Sequence, residues 1–438
     1  QINASELFLP ANTAVPEIHA TDASRLPQAF LLHARDETGK VRYFTLPMSL
    51  TGITLFYEKL KDLLGSEWDH QLRASVKNNM LVLELSLTID NKKQLLPPVE
   101  FTIHPDESLN RKAAIIWPNF RSEVWKSYYL YSEKLHNKPG DLNFQPLQFQ
   151  KKADNSKQPP VFANGLQEGT AKLIIQTPPP LFGRKVEYEI FHSEEPFIGI
   201  EIKEKNKPAG YLILKPDALR QFQRDTTSFG NMRKARVGID FGSNNTRVSY
   251  SVENNQPATV QFANRRVFLA GEEVHDPEAR YNALPHEVFF FQNEQPNGMV
   301  KTMIMRHNEQ RVIPQHRNEP GASGFPVFER NVTVTDSRAD ELIVDFGDVQ
   351  KEAIKWNLKW QDLDTALAYK KSFLQILWLK IWAELFENEH IPTELVWAYP
   401  QVMRNQQHLL LGYESLWQEV VEKCPVPESQ QLMGTKVS

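Results

Sequence analysis

The chain has 438 residues, a formal net charge of -4 at pH 7, 41% hydrophobic residues and 24% charged residues. That length predicts two to four domains, and the near-neutral charge excludes the overall basic field typical of proteins that bind nucleic acids. No stretch approaches the roughly 18 apolar residues that a membrane-spanning helix needs. Residues 1–20 lack the pattern of a secretory leader, and Cys424 is the single cysteine. We therefore expect a soluble, cytoplasmic protein with neither a membrane nor a nucleic-acid partner.

The first 230 residues carry the pattern of a β-rich domain. Apolar runs at residues 29–33 and 41–45 flank the polar segment Asp36–Lys40, which predicts a hairpin. Apolar residues at helical spacing predict one helix within Thr51–Leu64. Further strands are predicted at Arg73–Val76, Leu81–Leu87, Val99–Ile103, Lys172–Gln176, Lys185–Phe191, Ile198–Ile202 and Tyr211–Leu214. We expect these strands to form a sandwich-like domain over residues 1–230.

An aromatic-rich stretch, Trp117–Tyr131, lies within this β-rich region. Two interpretations fit it: a wall of the hydrophobic core, or a surface on which a ligand stacks. We favour the core wall, because aromatic side chains contribute large buried areas to protein interiors.

The pattern of predicted secondary structure changes after the polar connector Asp217–Lys234. From Ala235 onward, strand-like segments are followed by a strong helix and another strand, which is an α/β pattern. The helix is predicted at Phe373–Glu387 as an amphipathic element. Its predicted apolar stripe consists of Leu374, Leu377, Trp378, Ile381 and Leu385. The sequence therefore predicts two domains, at residues 1–230 and 235–438.

The segment from Val237 to Tyr250 has the pattern of a phosphate-binding hairpin. Two short strands, Val237–Ile239 and Val248–Ser251, flank a loop at Asp240–Thr246. Gly242 lets the backbone approach a bulky anion and adopt a positive φ, and Asp240 at the strand end can hold Mg²⁺ through its water shell. Small polar groups, with backbone N–H groups that can converge on phosphate oxygens, are supplied by Ser243, Asn244, Asn245 and Thr246. The alternative is a plain hairpin with an Asx-type turn.

The run Gly238–Thr246 resembles the first phosphate motif of the ATPase superfamily that contains actin, the sugar kinases and the DnaK-type heat-shock chaperones. It is not a Walker A loop, because no Gly-Lys-Ser/Thr follows. The resemblance implies a multidomain α+β protein in which residues 235–438 form the first lobe of an actin-like, ribonuclease-H-like α/β fold. It also implies ATP and Mg²⁺ as cofactors, with Asp240 as the metal-binding residue. The cofactor-binding positions would be Gly242, Ser243, Asn244, Asn245 and Thr246.

Several downstream segments are similar to superfamily segments and follow in the same order. They are Leu284–Phe290, Ile354–Trp360, Thr393–Pro400 and Leu409–Val421. Lys301 stands where the chaperones carry a lysine that positions the attacking water, and Glu428 stands near the place of an acidic segment. The resemblance therefore implies an ATP hydrolase with Asp240, Lys301 and Glu428 as catalytic residues.

The superfamily's second phosphate motif, Asp-Gly-Gly-Gly-Thr, and its late Gly-Gly adenosine motif do not occur in these 438 residues. Nucleotide in the superfamily lies between two lobes, so we expect this chain to contain the first lobe only. Three functions follow from the resemblance. The first is a chaperone-like ATPase whose residues 1–230 bind a protein partner, and the second is a catalytically inactive scaffold of the same fold. The third, a sugar or metabolite kinase, is the least favoured, because a large β-rich domain precedes the lobe.

Overall fold

The computed structural model describes residues 3–18, 28–56, 72–89, 92–104, 114–122, 125–134, 142–148, 171–176, 187–215, 218–221, 232–243, 245–253, 255–262, 267–270, 299–306, 308–313, 331–333, 354–360, 363–422 and 436–437. The strands up to residue 221 are β1 (Ala14–Val15), β2 (Glu17–Ile18), β3 (Ala29–Phe30), β4 (Leu32–Arg35), β5 (Val41–Phe44), β6 (Leu72–Lys77), β7 (Met80–Ile89), β8 (Lys92–Leu95), β9 (Val99–Ile103), β10 (Ala114–Trp117), β11 (Phe120–Arg121), β12 (Tyr128–Lys134), β13 (Leu142–Gln148), β14 (Ala171–Gln176), β15 (Glu187–Ser193), β16 (Phe197–Glu204), β17 (Lys207–Leu214) and β18 (Arg220–Gln221). Helices α1 (Ala4–Leu7) and α2 (Leu50–Phe56) accompany them.

The strands before residue 222 confirm the prediction of a β-rich region. One sheet has the order β1-β9-β7-β6-β4-β5-β2 with β8 on β7, and a second has the order β13-β16-β17-β3. The predicted hairpin is the antiparallel pair β4 and β5. Its turn forms because the Asp36 carboxylate accepts the N–H groups of Thr38 and Lys40, at 2.9 Å each, while Gly39 adopts a φ of +84°. Helix α2 matches the start of the predicted helix, and residues 57–64 lie outside the described residues.

The aromatic-rich stretch is part of the hydrophobic core, as predicted. Its aromatic side chains are almost completely buried. A group that we call the N-terminal aromatic cluster consists of Trp117, Phe120, Trp125 and Tyr129. Trp125 donates its indole N–H to the carbonyl of Ser127 at 2.8 Å, so the cluster satisfies this buried polar group internally.

The elements after residue 231 form an α/β arrangement. The strands are β19 (Arg233–Phe241), β20 (Asn245–Val252), β21 (Ala258–Thr259), β22 (Val267–Ala270), β23 (Met299–Lys301), β24 (Met303–Arg306), β25 (Asn308–Ile313), β26 (Asn331–Thr333), β27 (Ile354–Trp356), β28 (His390–Ala398) and β29 (Lys436–Val437). The helices are α3 (Leu363–Glu387), α4 (Gln401–Arg404) and α5 (Gln407–Glu422), and a 3₁₀ turn spans Leu358–Trp360.

A mixed sheet organises this part of the chain. Its order is β21-β20-β19-β28-β29, with β23 also on β20. Strand β20 is antiparallel to β19, whereas β28 and β29 run parallel to β19. Alternate residues such as Val237, Ile239 and Leu395 are buried, and helices α3 and α5 pack against each other and on this buried face. The opposite face carries the exposed polar residues of β19 and β20.

Helix α3 corrects the prediction of an amphipathic element. It begins at Leu363, and every residue from Phe373 to Phe386 is buried. The helix contacts α5 and the mixed sheet and also β24 and β26, so neighbours surround it on several sides. Its polar residues Lys380 and Glu384 are therefore buried as well. A helix enclosed in this way needs no polar face.

Two strands from the second half of the chain extend a sheet of the first half. In the sheet β22-β10-β12-β15-β14-β25, β22 pairs with β10 and β25 pairs with β14. One hydrophobic cluster joins residues such as Phe120 and Trp125 to Phe241 and Phe386, whereas another runs only from Leu7 to Ile213. The mixed sheet itself contains no described strand from residues 1–230. The division at residues 230–235 stays a prediction.

No helix among the described residues combines the length and the apolar character needed to cross a membrane. The architecture over those residues is strand-rich α+β, with several separate sheets.

Candidate functional site

The hairpin predicted from the sequence lies at the centre of the mixed sheet. Strands β19 and β20 pair in antiparallel register from Ala235–Val252 to Phe241–Thr246, which confirms the predicted pairing. The strands are longer than predicted, so the connection between Phe241 and Asn245 is only three residues long rather than spanning Asp240–Thr246. Because the turn is so short, its backbone is held close to the strand ends.

Gly242 occupies the tightest place in this turn. A Cβ atom added to Gly242 would lie 2.1 Å from the carbonyl oxygen of Asn245, a distance at which the backbone would have to move. The predicted positive φ at Gly242 is wrong, since among the described glycines only Gly39 has one. The glycine is required by close backbone approach rather than by a left-handed conformation.

The exposed face of the sheet collects charged groups at this edge. Asp240 is exposed and lies directly opposite Arg247, which is exposed as well. Directly opposite residues of an antiparallel pair share a face. Strand β20 also pairs with β23, and in that pairing Asn245 lies opposite Lys301. The strand pairing therefore brings two predicted site positions, Asn245 and Lys301, next to the loop.

Thr246 lies on the other face. Its side chain is completely buried, and its hydroxyl forms a 2.8 Å hydrogen bond with the hydroxyl of Thr302. The hydroxyl of Thr246 therefore ties β20 to the residue after β23 and is directed away from the exposed edge where Asp240 lies.

The 3₁₀ turn at Leu358–Trp360 forms a wall beside the loop. Trp360 donates its indole N–H to the hydroxyl oxygen of Ser243 at 2.7 Å, and 45% of its side-chain surface is exposed. Leu358 is buried beneath the turn. The hydroxyl of Tyr413 in α5 donates to the carbonyl of Lys359 at 2.5 Å. The turn is thus fixed both by packing and by a hydrogen bond to a neighbouring helix.

Lys359 is buried close enough to Asp240 for the two charges to interact. Burial lowers the pKa of the Lys359 ammonium group, because the charged form loses hydration, and the negative charge of Asp240 opposes this shift. Among the residues that the structure describes at this edge, Arg247 on the exposed face and Lys359 add positive charge beside Asp240. Such an edge favours an anionic ligand.

A second group of aromatic side chains supports the loop from below, and we call it the loop-supporting cluster. Its members are Phe241, Phe373, Trp397, Tyr413 and Trp417. Phe241, the residue before Gly242, has ring centroids 5.9 Å from Phe373 and 6.1 Å from Tyr413. Close packing of this kind holds side chains in one arrangement, so the start of the loop is rigidly placed.

The structure describes the positions of some predicted site residues. Asp240, Gly242, Ser243, Asn245 and Lys301 lie at one edge of the sheet, whereas Asn244, Glu428 and the segment Leu284–Phe290 lie outside the described residues. The roles of all these residues stay predictions.

Sequence reasoning missed Arg247, Lys359, Trp360 and Tyr413. Only Arg247 could have been predicted from the sequence, because the antiparallel pairing of the two hairpin strands places it opposite Asp240. The others reach the site through tertiary packing of the 3₁₀ turn on α5.

A metal ion at this edge would rely on few protein ligands. Over the described ranges, no three His, Cys, Asp or Glu side chains are grouped as a metal site. Asp240 is the exposed carboxylate beside the loop, and a single carboxylate with retained water molecules suits Mg²⁺ bound together with phosphates. The residues present therefore fit a hydrated Mg²⁺ carried by a phosphate ligand.

The chain matches no protein-family model, and no curated protein matches it either. The function is therefore inferred from the geometry of this edge.

Proposed function

We propose that residues 235–438 form the first lobe of an actin-fold, DnaK-chaperone-like ATPase, and that the protein couples Mg·ATP binding and hydrolysis to the binding of a protein partner by residues 1–230. The observation that carries this proposal is the three-residue turn at Gly242. There the backbone closes too tightly for any side chain, beside an exposed carboxylate at Asp240. Tight glycine turns with exposed N–H groups are suited to phosphate oxygens.

The direction of the strands supports the same site. Strands β19 and β28 are parallel neighbours, so their carboxyl ends, at Phe241 and Ala398, meet at one edge of the sheet. In open α/β sheets, ligands bind outside the carboxyl ends of the strands. The turn at Gly242 begins at that end of β19.

The residues at this edge take separate roles in the proposal. Asp240 would hold a hydrated Mg²⁺, which would supply charge neutralisation on the phosphates. The turn from Gly242 would donate backbone N–H groups to phosphate oxygens. Arg247 and Lys359 add positive charge on the side of Asp240, and Lys301 is the residue that positions the attacking water.

Helix α3 supports a coupling between the two halves of the chain. Near the middle of this helix, Phe373 packs on Phe241 of the loop-supporting cluster. Near its end, the Phe386 ring stacks on Phe120 with centroids 5.3 Å apart and lies 5.6 Å from Trp125. A rigid helix that touches both groups is a direct path by which closure around nucleotide alters the partner-binding region.

The test compares the full-length protein with Asp240→Ala. Asp240 is exposed, so the variant should keep the fold, while Mg-dependent ATP hydrolysis should fall steeply, because losing metal-based charge stabilisation costs several kcal/mol. Lys301→Ala should slow hydrolysis with less effect on nucleotide binding. Glu394→Gln is the matched control, since Glu394 lies on the same exposed face, paired with Arg236 at 2.7 Å.

Calorimetric titration with Mg·ATP and a steady-state ATPase assay give the two readouts. Equal turnover by the unchanged protein and Asp240→Ala would remove the catalytic role of Asp240. Nucleotide binding without turnover would leave the scaffold function. The absence of nucleotide binding at any Mg²⁺ concentration would end the ATPase proposal.

A further inference from the structure

The hydrogen bond between Trp360 and Ser243 has a fixed polarity. The indole nitrogen of tryptophan is a donor only, whereas a serine hydroxyl offers one donor and two acceptor lone pairs. At 2.7 Å from the indole nitrogen, the Ser243 oxygen must therefore accept. Its own proton is left for another partner. Within the part of the chain that the structure describes, the Ser243 hydroxyl proton has no acceptor.

The position of Trp360 is built by the fold. Leu358 is completely buried, and the carbonyl of Lys359 accepts the 2.5 Å hydrogen bond from Tyr413. These contacts fix the two residues that precede Trp360, so the direction of its side chain is restricted. Despite this support, 45% of the Trp360 side chain is exposed. Its indole N–H is therefore committed to the loop, while much of its ring surface faces outward.

Ser243 follows Gly242 directly, so its hydroxyl lies at the turn proposed to hold phosphate oxygens. A hydroxyl that rotates freely must lose that freedom when it donates to a ligand, and a hydroxyl already oriented by a neighbour does not. We propose that Trp360 is a positioning residue that turns the Ser243 hydroxyl proton toward an oxygen of the bound phosphate group. This inference rests on the proposed function, and its ligand is the phosphate chain of a nucleotide.

The test is a double-mutant cycle on the full-length protein with Mg·ADP as the probe, followed by calorimetry. Ser243→Ala removes a hydrogen bond to a charged oxygen and should weaken binding by about 10-fold to 100-fold. Trp360→Phe keeps an aromatic ring but removes the N–H, and should weaken binding by about 3-fold to 10-fold. Because both act on one hydrogen bond to the ligand, the double variant should bind no more weakly than Ser243→Ala alone.

Two further variants separate positioning from a general structural effect. Ser243→Thr keeps the hydroxyl and should restore binding to near that of the unchanged protein. Ser249→Ala is the matched control. Ser249 lies in β20, the strand that follows the turn, and its hydroxyl contacts the carbonyl of Gly238 at 3.4 Å. Removing this hydroxyl should leave the affinity for Mg·ADP unchanged. Thermal melts should show that Trp360→Phe keeps the fold, since Trp360 is 45% exposed.

A spectroscopic measurement follows the same contact. The protein is labelled with fluorotryptophan, and the Trp360 resonance is assigned by its loss in Trp360→Phe. Saturation with Mg·ADP should shift this resonance in the unchanged protein and shift it less in Ser243→Ala.

The positioning role would be overturned if the two substitutions lowered the affinity for Mg·ADP additively, or if Trp360→Phe left that affinity unchanged. Nucleotide binding itself would stand in either case. Failure of the unchanged protein to bind Mg·ADP would overturn the proposed function and this inference together. The two failures are thus distinguishable, because only the second is seen without any substitution.

Discussion

The two aromatic clusters differ in where their polar atoms point. In the N-terminal aromatic cluster, the polar atoms turn inward: the Ser127 hydroxyl lies 3.2 Å from the Tyr129 hydroxyl and 3.3 Å from His192 Nε2. In the loop-supporting cluster, the Tyr413 hydroxyl reaches out to the backbone of Lys359, beside the exposed edge. Both clusters are buried, but the second one adjoins the exposed edge of the mixed sheet at Asp240. A high aromatic content therefore does not mark a binding site unless an exposed polar edge adjoins it.

Helix α3 connects the two clusters. Phe373 belongs to the loop-supporting cluster, and Phe386 contacts Phe120 and Trp125 of the N-terminal aromatic cluster. At about 1.5 Å per residue, the two phenylalanines are roughly 20 Å apart along the helix axis. The same buried helix thus contacts an enclosed cluster near its C-terminal end and, near its middle, a cluster beside an exposed edge.

The largest expected effect separates the two clusters by function rather than by stability. Phe241→Ala and Phe120→Ala each remove a buried ring, and each should lower the free energy of unfolding by about 3–5 kcal/mol. Only Phe241→Ala should also weaken the binding of Mg·ATP to the molecules that remain folded, because Phe241 anchors the turn at Gly242. Denaturant unfolding and calorimetry measure the two quantities. Equal losses of nucleotide affinity in both variants would remove the distinction between the clusters.

A second prediction concerns acid, and it belongs to the N-terminal aromatic cluster. Burial lowers the pKa of His192 from 6.5 to about 4. The unfolded chain therefore binds a proton more readily than the folded chain, and stability should fall as the pH drops from 6.5 towards 4. The loss should total roughly 2–4 kcal/mol.

Denaturant unfolding between pH 7 and pH 4 tests this prediction. The His192→Gln variant should show a flatter dependence over that window, at the cost of a lower stability at pH 7. His408→Gln, at an exposed position in α5, is the matched control and should follow the unchanged protein. An unchanged slope in His192→Gln would assign the acid sensitivity to other groups.

The third prediction tests the tight turn of the open edge. In Gly242→Ala, the new Cβ would lie 2.1 Å from a backbone oxygen, whereas in Gly238→Ala it would lie 3.0 Å from the Ser249 hydroxyl, which can move. Forcing the backbone apart should cost about 1–3 kcal/mol of stability in Gly242→Ala, with at least a matching loss of Mg·ATP affinity. Gly238→Ala should cost less in both. A Gly242→Ala protein that binds normally would show that the turn does not form the site.

Local patterns in the sequence predicted much of the fold. The hairpin β4–β5, strand β9 and the pairing of β19 with β20 were found because their signals lie within a few residues of one another. Helix α3 was found, but its environment was not: an amphipathic helix was predicted, whereas its Lys380 and Glu384 are buried. Whether a charged residue is solvated or enclosed depends on which elements surround it, and short-range periodicity does not contain that information.

The candidate site, like the fold, was predicted only where its residues lie close together in the sequence. Asp240 and Gly242 lie in one contiguous motif, so their types and spacing were visible. Lys359 and Trp360 lie more than 100 residues further along the chain and reach the loop only because Tyr413 holds the 3₁₀ turn. The joining of β22 and β25 to an N-terminal sheet was missed likewise, since non-local strand pairing leaves no local pattern.

The smallest expected effect concerns the link between the two halves of the chain. Arg220 donates to the carbonyl of Glu387 at 2.6 Å, to its carboxylate at 3.2 Å and to Glu389 at 3.2 Å, with 48% of the Arg220 side chain exposed. Exposed ion pairs contribute about 0–1 kcal/mol, so Arg220→Gln should lower stability by no more than about 1 kcal/mol. Arg236→Gln is the matched control, because its ion pair with Glu394 lies within the mixed sheet.

The informative result of Arg220→Gln is its effect on nucleotide affinity. Arg220 joins the closed end of α3, roughly 20 Å from the loop-supporting cluster, and a packed helix need not change there when one exposed ion pair is lost. We therefore expect Mg·ATP affinity to change by less than about twofold in both arginine variants, since surface changes away from a site rarely exceed 0.5 kcal/mol. A larger loss in Arg220→Gln than in Arg236→Gln would mean that the C-terminal end of α3 and its middle, where Phe373 lies, respond together. In that case, the closed cluster would be the element through which the β-rich region senses the nucleotide, and the contrast between the two clusters would be one of exposure alone.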